Sequence, residues 1–590
     1  MLVRRVYTQS LLILILSSMI SMLGALVDGV VIGNMLGDEA ITAYGYALPL
    51  TVLITGIAYA ISGGGQALCG KEIGKGDQKE ADCYFTAVLF ASAVFGIAVT
   101  VLCILFMDPI CVLLGAPKSI PDVFGQTRAY LLGYVPCAAF NMLTLSLSSF
   151  MHLENAQSRA IAAAVIGTVV NIIGDFVAVK VFHGGLFAIA IATTVSYAVM
   201  TLVLILYYVK REHVLHFNRK GARFCRVGKL FVFGLPSADI QICSVFRSVF
   251  LNRLLFFIAA DAAVAAFSIR MSMYNLYGSI VIGFGLATLL VGSFFIGEEN
   301  TDAIRQMLKG ALIRGVLVTS LLCLFVWILA PAFVDLYTKD PEVMGMAISS
   351  IRWFALSLPL FVINSILAKY YQAINLGWLS HLITILENLV YVCLLALALG
   401  LCFSVDGVWS AFLVTEAMTL LTILFIVTLR RKHFPRTLLD WMLLPEGFGV
   451  PPEQIFIAEC RRKEDVTKVA QDVTDFLTAH GENVHQANRL SLCTEELMMN
   501  SFQYTKKPHY VHSVYLTLLQ KQEEWLLCIR DLGKNFDPKE WLKYHEASVE
   551  HLGLILVKAA GDDITFLHTL KMNQITIHLK KQREESGYES

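Results

Sequence analysis

Twelve apolar stretches of about 20 residues each follow one another between residues 10 and 430, and this recurrence constrains the chain more than any other feature. They lie over 10–34, 42–66, 82–107, 127–150, 160–181, 186–208, 230–256, 264–292, 310–330, 351–371, 380–402 and 407–429. A helix of about 20 residues crosses roughly 30 Å of hydrocarbon. Composition points the same way: 56% of residues are hydrophobic and 16% charged, where a soluble globule carries about 25% charged residues. That apolar excess is too large for one buried core, and the pattern predicts a polytopic α-helical membrane protein. The opening MLVRRVYTQS places two arginines before the first run. That run is too long for a signal-peptide core and has no clean small-residue cleavage site, so it reads as the first membrane helix with a cytoplasmic N-terminus. Net charge is zero and gives no argument for a nucleic-acid partner. The thirteen cysteines lie mostly inside apolar runs such as VLCILF, with no C-x-x-C pair, and read as small buried hydrophobes.

Basic residues assign the two sides. They cluster at Arg4 and Arg5, at Lys71, Lys75 and Lys79, between Lys210 and Lys229, at Arg305, Lys309 and Arg314, and between Arg430 and Arg436. All these groups fall on one face if the N-terminus is inside, and twelve crossings return the C-terminus to the cytoplasm of a multi-pass cell-membrane protein. The two halves resemble each other. QALCGKEIGKGDQKEAD after helix 2 pairs with VGSFFIGEENTDAIRQ after helix 8, and VFHGGLFAIAIATTVS pairs with FSVDGVWSAFLVTEA, each about 220 residues apart. Duplicated six-helix halves mark secondary transporters, with the substrate site near their interface. The expected lobes are 1–220 and 221–436, followed by a Pro/Gly linker over 437–452 and a soluble domain over 453–590. In that domain DVTKVAQDVTDFLTAH and NRLSLCTEELMMNSFQYT read as helices; SVYLTLLQ, EEWLLCIRD and QITIHLKK read as strands. This mixture predicts an α+β sandwich.

A charge at the bilayer centre costs about 2.5–3.5 kcal/mol on insertion scales, so each intramembrane acid needs a reason. Asp28 falls in helix 1. Asp175 falls in helix 5, four residues after Asn171 and on the same face. Two carboxylates and an amide oxygen suit a hard cation or a proton. Glu387 in helix 11 and Glu416 in helix 12 are further candidates. GQALCGKE from Gly65 nearly spells a P-loop, but Glu72 replaces the metal-binding hydroxyl and the segment closes a membrane helix, so it is not one.

LVDGVVIGNMLGDEAITAYGYALPL resembles helices 1 and 2 of the multidrug and toxic compound extrusion (MATE) family. ENAQSRAIAAAVIGTVVNIIGDF followed by GGLFAIAIATTVSY resembles its helices 5 and 6. The resemblance covers residues 8–430. It implies an antiporter that exchanges Na⁺ or H⁺ for amphipathic, often cationic, organic molecules. It also implies that Asp28, Asn171, Asp175 and Thr193 bind the coupling ion.

Three segments of the soluble part stand in a telling order. LCTEELMMNSFQYT puts Glu496 and Asn500 on one helical face, where an acid can act as base and an amide oxygen can hold Mg²⁺. IRDLGKNFDP is a strand entering a turn; its Asp531 can accept a hydrogen bond from an adenine amine, while Gly533 permits close approach. HLGLILVKAAGDDITF places Gly553 before an apolar helix whose N-terminus can meet phosphate, and Asn573 precedes the last strand. Singly these are common patterns. Together they resemble the N, G1 and G2 boxes of the histidine-kinase-like (GHKL/Bergerat) ATPase fold, closest to the anti-sigma-factor serine/threonine kinase branch. The resemblance implies binding of ATP with Mg²⁺ by Glu496, Asn500, Asp531, Gly533, Gly553 and Asn573, with Glu496 as the catalytic base. His551 departs from the pattern by replacing the first glycine of the third box, which puts catalytic turnover in doubt more than nucleotide binding. No phosphoacceptor-histidine helix is evident. Two readings follow: a cation-coupled exporter tuned by a nucleotide-binding domain, or a membrane sensor whose kinase-like domain acts on a cytoplasmic regulator of the anti-sigma-antagonist type.

Overall fold

The computed structural model describes residues 2–36, 38–116, 121–154, 156–182, 184–209, 214–218, 220, 224–335, 337–338, 340–445, 448–503, 513–521, 524–531, 563–569 and 572–581. The chain divides into two compact units, one of residues 3–298 with 302–444 and one of residues 445–590 with 1–2 and 299–301.

The first unit is helical: α1 (Leu2–Leu36), α2 (Asp38–Lys75), α3 (Gln78–Leu105), α4 (Met107–Leu113), α5 (Pro121–Tyr134), α6 (Cys137–Leu153), α7 (Gln157–Lys180), α8 (Leu186–Val209), α9 (Phe224–Gly297), α10 (Thr301–Val334), α11 (Pro341–Ala373), α12 (Gly377–Ile385), α13 (Tyr391–Arg431) and α14 (Leu438–Met442). Ten helical segments among the described residues are long and apolar enough to cross a membrane, and the bent pair α5–α6 makes eleven. The span expected over 127–150 is therefore broken: α5 and α6 meet at 46° across residues 135–136, where Pro136 has no N–H to continue the ladder. The 74 residues of α9 would reach about 110 Å if straight. Instead they hold two spans, Arg226–Ala259 and Tyr277–Gly297. Ser404, at φ 57°, likewise interrupts α13 and divides the 55-residue segment Gly377–Arg431 into two crossings. That makes twelve, as the apolar runs predict.

The lobes meet along α2 and α9 by backbone contact. A side chain on Gly234 would collide with the Ala60 carbonyl, one on Gly64 with the Leu230 carbonyl, and one on Gly297 with the Lys71 carbonyl. Small residues let membrane helices approach this closely, and van der Waals packing then holds them. The segment between the lobes is tied to the first. Glu154 accepts from Leu215 N at 2.7 Å, Asp82 from His216 N at 2.9 Å, and Thr86 Oγ1 from Asn218 N at 2.8 Å. The expected linker does not begin as loose chain. Thr437 and Asp440 form a reciprocal cap that starts α14. Tyr370 and Tyr371 then donate to the Met442 and Trp441 carbonyls at 3.0 and 2.9 Å.

The second unit is a two-layer α+β domain. Strands β1 (Ile455–Cys460), β2 (Val514–Gln520), β3 (Glu524–Asp531), β4 (Asp563–Thr569) and β5 (Met572–Lys580) form an antiparallel sheet in the order β1-β2-β3-β5-β4. Helices α15 (Val466–Ala479) and α16 (Val484–Gln503) cover one face. Alternate residues Val514, Leu516 and Leu518, then Trp525, Leu527 and Ile529, then Ile575, Ile577 and Leu579 face the core. Val466, Val469, Val473 and Leu477 of α15 recur at helical spacing and meet them. Each fully buried large side chain contributes about 1.5–3 kcal/mol. β1 and β4 are the two edge strands, and neither stands out in the sequence reading. β1 follows directly on the proline-rich stretch, and β4 is embedded in a segment read as a phosphate-binding box.

Candidate functional site

In the first lobe α7 and α8 present small and polar residues to each other. The buried stripe of α7 runs Gln157, Ala160, Ala163, Gly167, Asn171, Asp175 and Ala178, one residue every three or four. Asp175 is 0% exposed, Asn171 7% and Thr193 of α8 6%. A Cβ on Gly174 would stand 2.9 Å from Ala192 Cβ. The turn carrying Asp175 therefore packs against the turn carrying Thr193. The Thr193 hydroxyl donates to Ile189 O at 3.3 Å, which leaves its lone pairs as acceptors. Asn171 Nδ2 has no hydrogen-bond partner among the described residues. A carboxylate, an amide and a hydroxyl in a buried helix pair form an all-oxygen donor set that fits a proton or a hard monovalent cation. Asp28 lies on α1, but its side chain is outside the described residues. The N-terminal part of α1 leans on the second lobe, where Tyr7 donates to Phe284 O at 3.2 Å.

The second lobe holds a more heavily charged cavity. Glu387 and Glu416 line it, and so do Arg247 and Arg270, which were not singled out in the sequence although both interrupt apolar runs. Glu387 and Asn388 sit on a π-helical turn, Leu386–Val390, between α12 and α13. Such bulges re-aim side chains and recur at functional positions. Asn388 accepts from Arg247 Nη1 at 3.0 Å, and Glu416 Oε2 accepts from Asn364 Nδ2 at 2.8 Å. Arg270 is 3% exposed and lies 3.6 Å above the Phe412 ring.

In the soluble unit the fold gathers four of the expected nucleotide residues. α16 carries Glu496 and Asn500 one turn apart, and the register of β3 and β5 sets Asp531 opposite Asn573. Asn573 Nδ2 donates to Asp531 Oδ1 at 2.9 Å. Ser501, next to Asn500, donates to the other oxygen at 3.0 Å. Asp531 is 6% exposed and Asn573 4%, so the carboxylate is clamped from the helix and from the neighbouring strand. Ser501 was missed in the sequence; its position directly after Asn500 was the available signal. A carboxylate oxygen can accept from more than one donor, and amide and carboxyl oxygens suit Mg²⁺. Gly533, Gly553 and His551 lie outside the described residues.

Comparison with known proteins agrees with this architecture. The MatE family model matches residues 14–177 and 236–397, and the histidine kinase-like ATPase domain model matches residues 461–579. The multidrug export protein MepA of Staphylococcus aureus (strain bovine RF122 / ET3-1) is 23% identical over 441 residues, 74% of this chain and 95% of the relative. The probable multidrug resistance protein YoeA of Bacillus subtilis (strain 168) is 21% identical over 347 residues, 57% and 73% of the two chains. An outward-facing structure of a multidrug resistance MATE family transporter of the MOP superfamily superposes with a TM-score of 0.68 at 21% identity, covering 71% of this chain and 94% of that one. A MOP superfamily transporter from Pyrococcus furiosus, whose binding pocket is described as reversed in polarity, gives 0.67 at 20% identity, covering 74% and 97%. The chain belongs to the MatE family of membrane transporters and carries a histidine kinase-like ATPase domain at its C-terminal end.

Proposed function

We propose that this protein is an antiporter of the cell membrane that uses a Na⁺ or H⁺ gradient to export amphipathic or cationic organic compounds, and that its cytoplasmic domain binds Mg-ATP and regulates the exchange. The observation that carries the reading is the fully buried Asp175, one turn from Asn171 and packed beside the turn of Thr193. A carboxylate withdrawn from water inside a membrane helix pair offers a site to a proton or a small cation. Occupancy of that site then biases which side of the membrane the lobes open to, because only a ligand that binds two states unequally can shift their balance. Asp28 completes the ion site in this reading. In the soluble domain Asp531 receives the adenine, Asn500 holds Mg²⁺, and Glu496 is the base for any phosphoryl transfer; Gly533, Gly553 and Asn573 shape the pocket.

The attached kinase-like domain favours a second reading, in which the bundle senses a ligand and the soluble domain acts on a cytoplasmic regulatory protein of the anti-sigma-antagonist type. Vesicles holding the purified protein separate the two. Ethidium efflux that requires a Na⁺ or H⁺ gradient and disappears in Asp175→Asn supports the exporter, and Mg-ATP on the cytoplasmic face then sizes the regulation. No efflux under either gradient, with transfer of labelled phosphate to a cytoplasmic protein, supports the sensor instead.

A further inference from the structure

Among the described residues, the cavity of the second lobe contains one cation and one anion with neither a hydrogen-bond nor an ion-pair partner. Arg247 donates to Asn388 and its charge attracts both glutamates, while Glu416 accepts from Asn364. Arg270 is different. It is 3% exposed, its Nε has no hydrogen-bond partner, and no described residue accepts a hydrogen bond from its guanidinium or forms an ion pair with it. Its contacts are the faces of aromatic rings: Phe412 at 3.6 Å, Phe354 at 5.3 Å and Phe267 at 5.5 Å. Glu387 is 6% exposed, and among the described residues no group donates to its carboxylate. The two charges share one cavity without meeting. Ring stacking holds the guanidinium, and the π-helical turn holds the carboxylate.

A buried arginine without an acceptor and a buried glutamate without a donor are each costly inside a membrane. A lone cation entering the cavity satisfies Glu387 and leaves Arg270 stranded; a lone anion does the reverse. A solute carrying both a carboxylate and an ammonium group satisfies both at once and adds no net charge. Tyr274 and Phe354 supply apolar walls for the body of such a molecule. From this we infer that the second lobe contains a binding site for zwitterionic aromatic solutes, the carboxylate seated on Arg270 and the ammonium on Glu387. The inference rests on the exporter reading for its physiological meaning but not for its test. The cavity as it stands is narrow, and entry of a solute requires the helices to part, as alternating access demands.

Three fluorescent compounds isolate the two charges. Nε-dansyl-lysine carries both, dansylcadaverine is the same molecule without the carboxylate, and dansylaminohexanoate is the same molecule without the ammonium. They are titrated against the purified full chain in detergent, with no ion gradient. Dansyl-lysine binds tighter than either analogue by about tenfold or more, the scale of one charge-assisted fork. Arg270→Gln removes its advantage over dansylcadaverine, and Glu387→Gln removes its advantage over dansylaminohexanoate. Equal binding of all three to the wild-type chain, or binding of none, overturns the proposal without recourse to any variant. Because each variant is judged by a ratio of two ligands, a misfolded protein, which loses both, is distinguished from a lost contact. Selective binding in a protein that shows no gradient-driven ethidium efflux rejects the exporter and keeps this site. Efflux without selective binding does the opposite.

Discussion

The two lobes descend from one repeated pattern yet keep opposite kinds of polar interior. Among the described residues the first has a sparse site: one carboxylate, one amide and one hydroxyl on two helices, Asp175, Asn171 and Thr193, all nearly sealed from solvent. The second has two arginines and two glutamates around one cavity, spread over α9, α13 and the π-helical turn. A sparse acid can change only its own occupancy and so suits a coupling ion. A cavity with both signs of charge can recognise the shape and charge distribution of a solute. The family model matches the chain twice, over residues 14–177 and 236–397, and under the proposed function the side chains set the two halves to different tasks.

The largest effect tests that division directly. Asp175→Asn is expected to lower gradient-driven ethidium efflux by about a hundredfold, since it removes the titratable group itself. Glu416→Gln, which keeps the shape and an acceptor oxygen for Asn364, is expected to change which compounds are exported while efflux stays within about tenfold of wild type. Equal loss in both variants would end the idea of divided labour. Next comes the seam between the lobes. Gly234→Val drives a side chain into the Ala60 carbonyl. Overpacking of this kind costs about 1–3 kcal/mol or more, read as a lower melting temperature in detergent together with slowed efflux of every compound, whichever lobe binds it. Uniform slowing marks the seam as common to both sites. Compound-selective slowing would place it in one.

The histidine kinase-like ATPase domain offers a test that is independent of both lobes. Asp531→Asn exchanges an acceptor-only group for one with competing donors and is expected to weaken binding of a fluorescent ATP analogue by about tenfold or more. It should also abolish any effect of Mg-ATP on efflux while basal efflux persists. Loss of basal efflux would show that nucleotide is required rather than regulatory. The smallest effect lies at the cap of α14. Backbone hydrogen bonds from Thr437 and Arg436 hold the Asp440 carboxyl below the usual carboxylate range. The cap's contribution is therefore fully present above the ordinary carboxylate pKa and fades as pH falls through the lowered value. Amide exchange at Arg436 and Thr437, followed by mass spectrometry, should accelerate in Asp440→Asn at neutral pH and little at strongly acidic pH.

Much of this architecture was legible beforehand because a bilayer imposes one dominant rule. Hydrocarbon about 30 Å thick must be crossed by apolar segments of a set length, so twelve runs named twelve crossings even where α9 and α13 join two of them. In the soluble unit, period-two alternation in β2, β3 and β5 and helical spacing in α15 and α16 were equally local signals. The edge strands β1 and β4 escaped because each pairs on one side only and carries a weaker pattern. Asn171 and Asp175 announced a shared face through their four-residue spacing, and the order of the Glu496, Asp531 and Asn573 segments pointed to the ATPase domain that the family model matches. Tertiary structure alone decided the partnerships. That Ser501 and Asn573 clamp Asp531, that Arg270 stacks on Phe412, and that Glu387 lines the same cavity all depend on residues far apart in the chain. Local spacing reports which residues share a face of one helix or strand, whereas an electrostatic site is made by whichever faces the packing of several elements brings together.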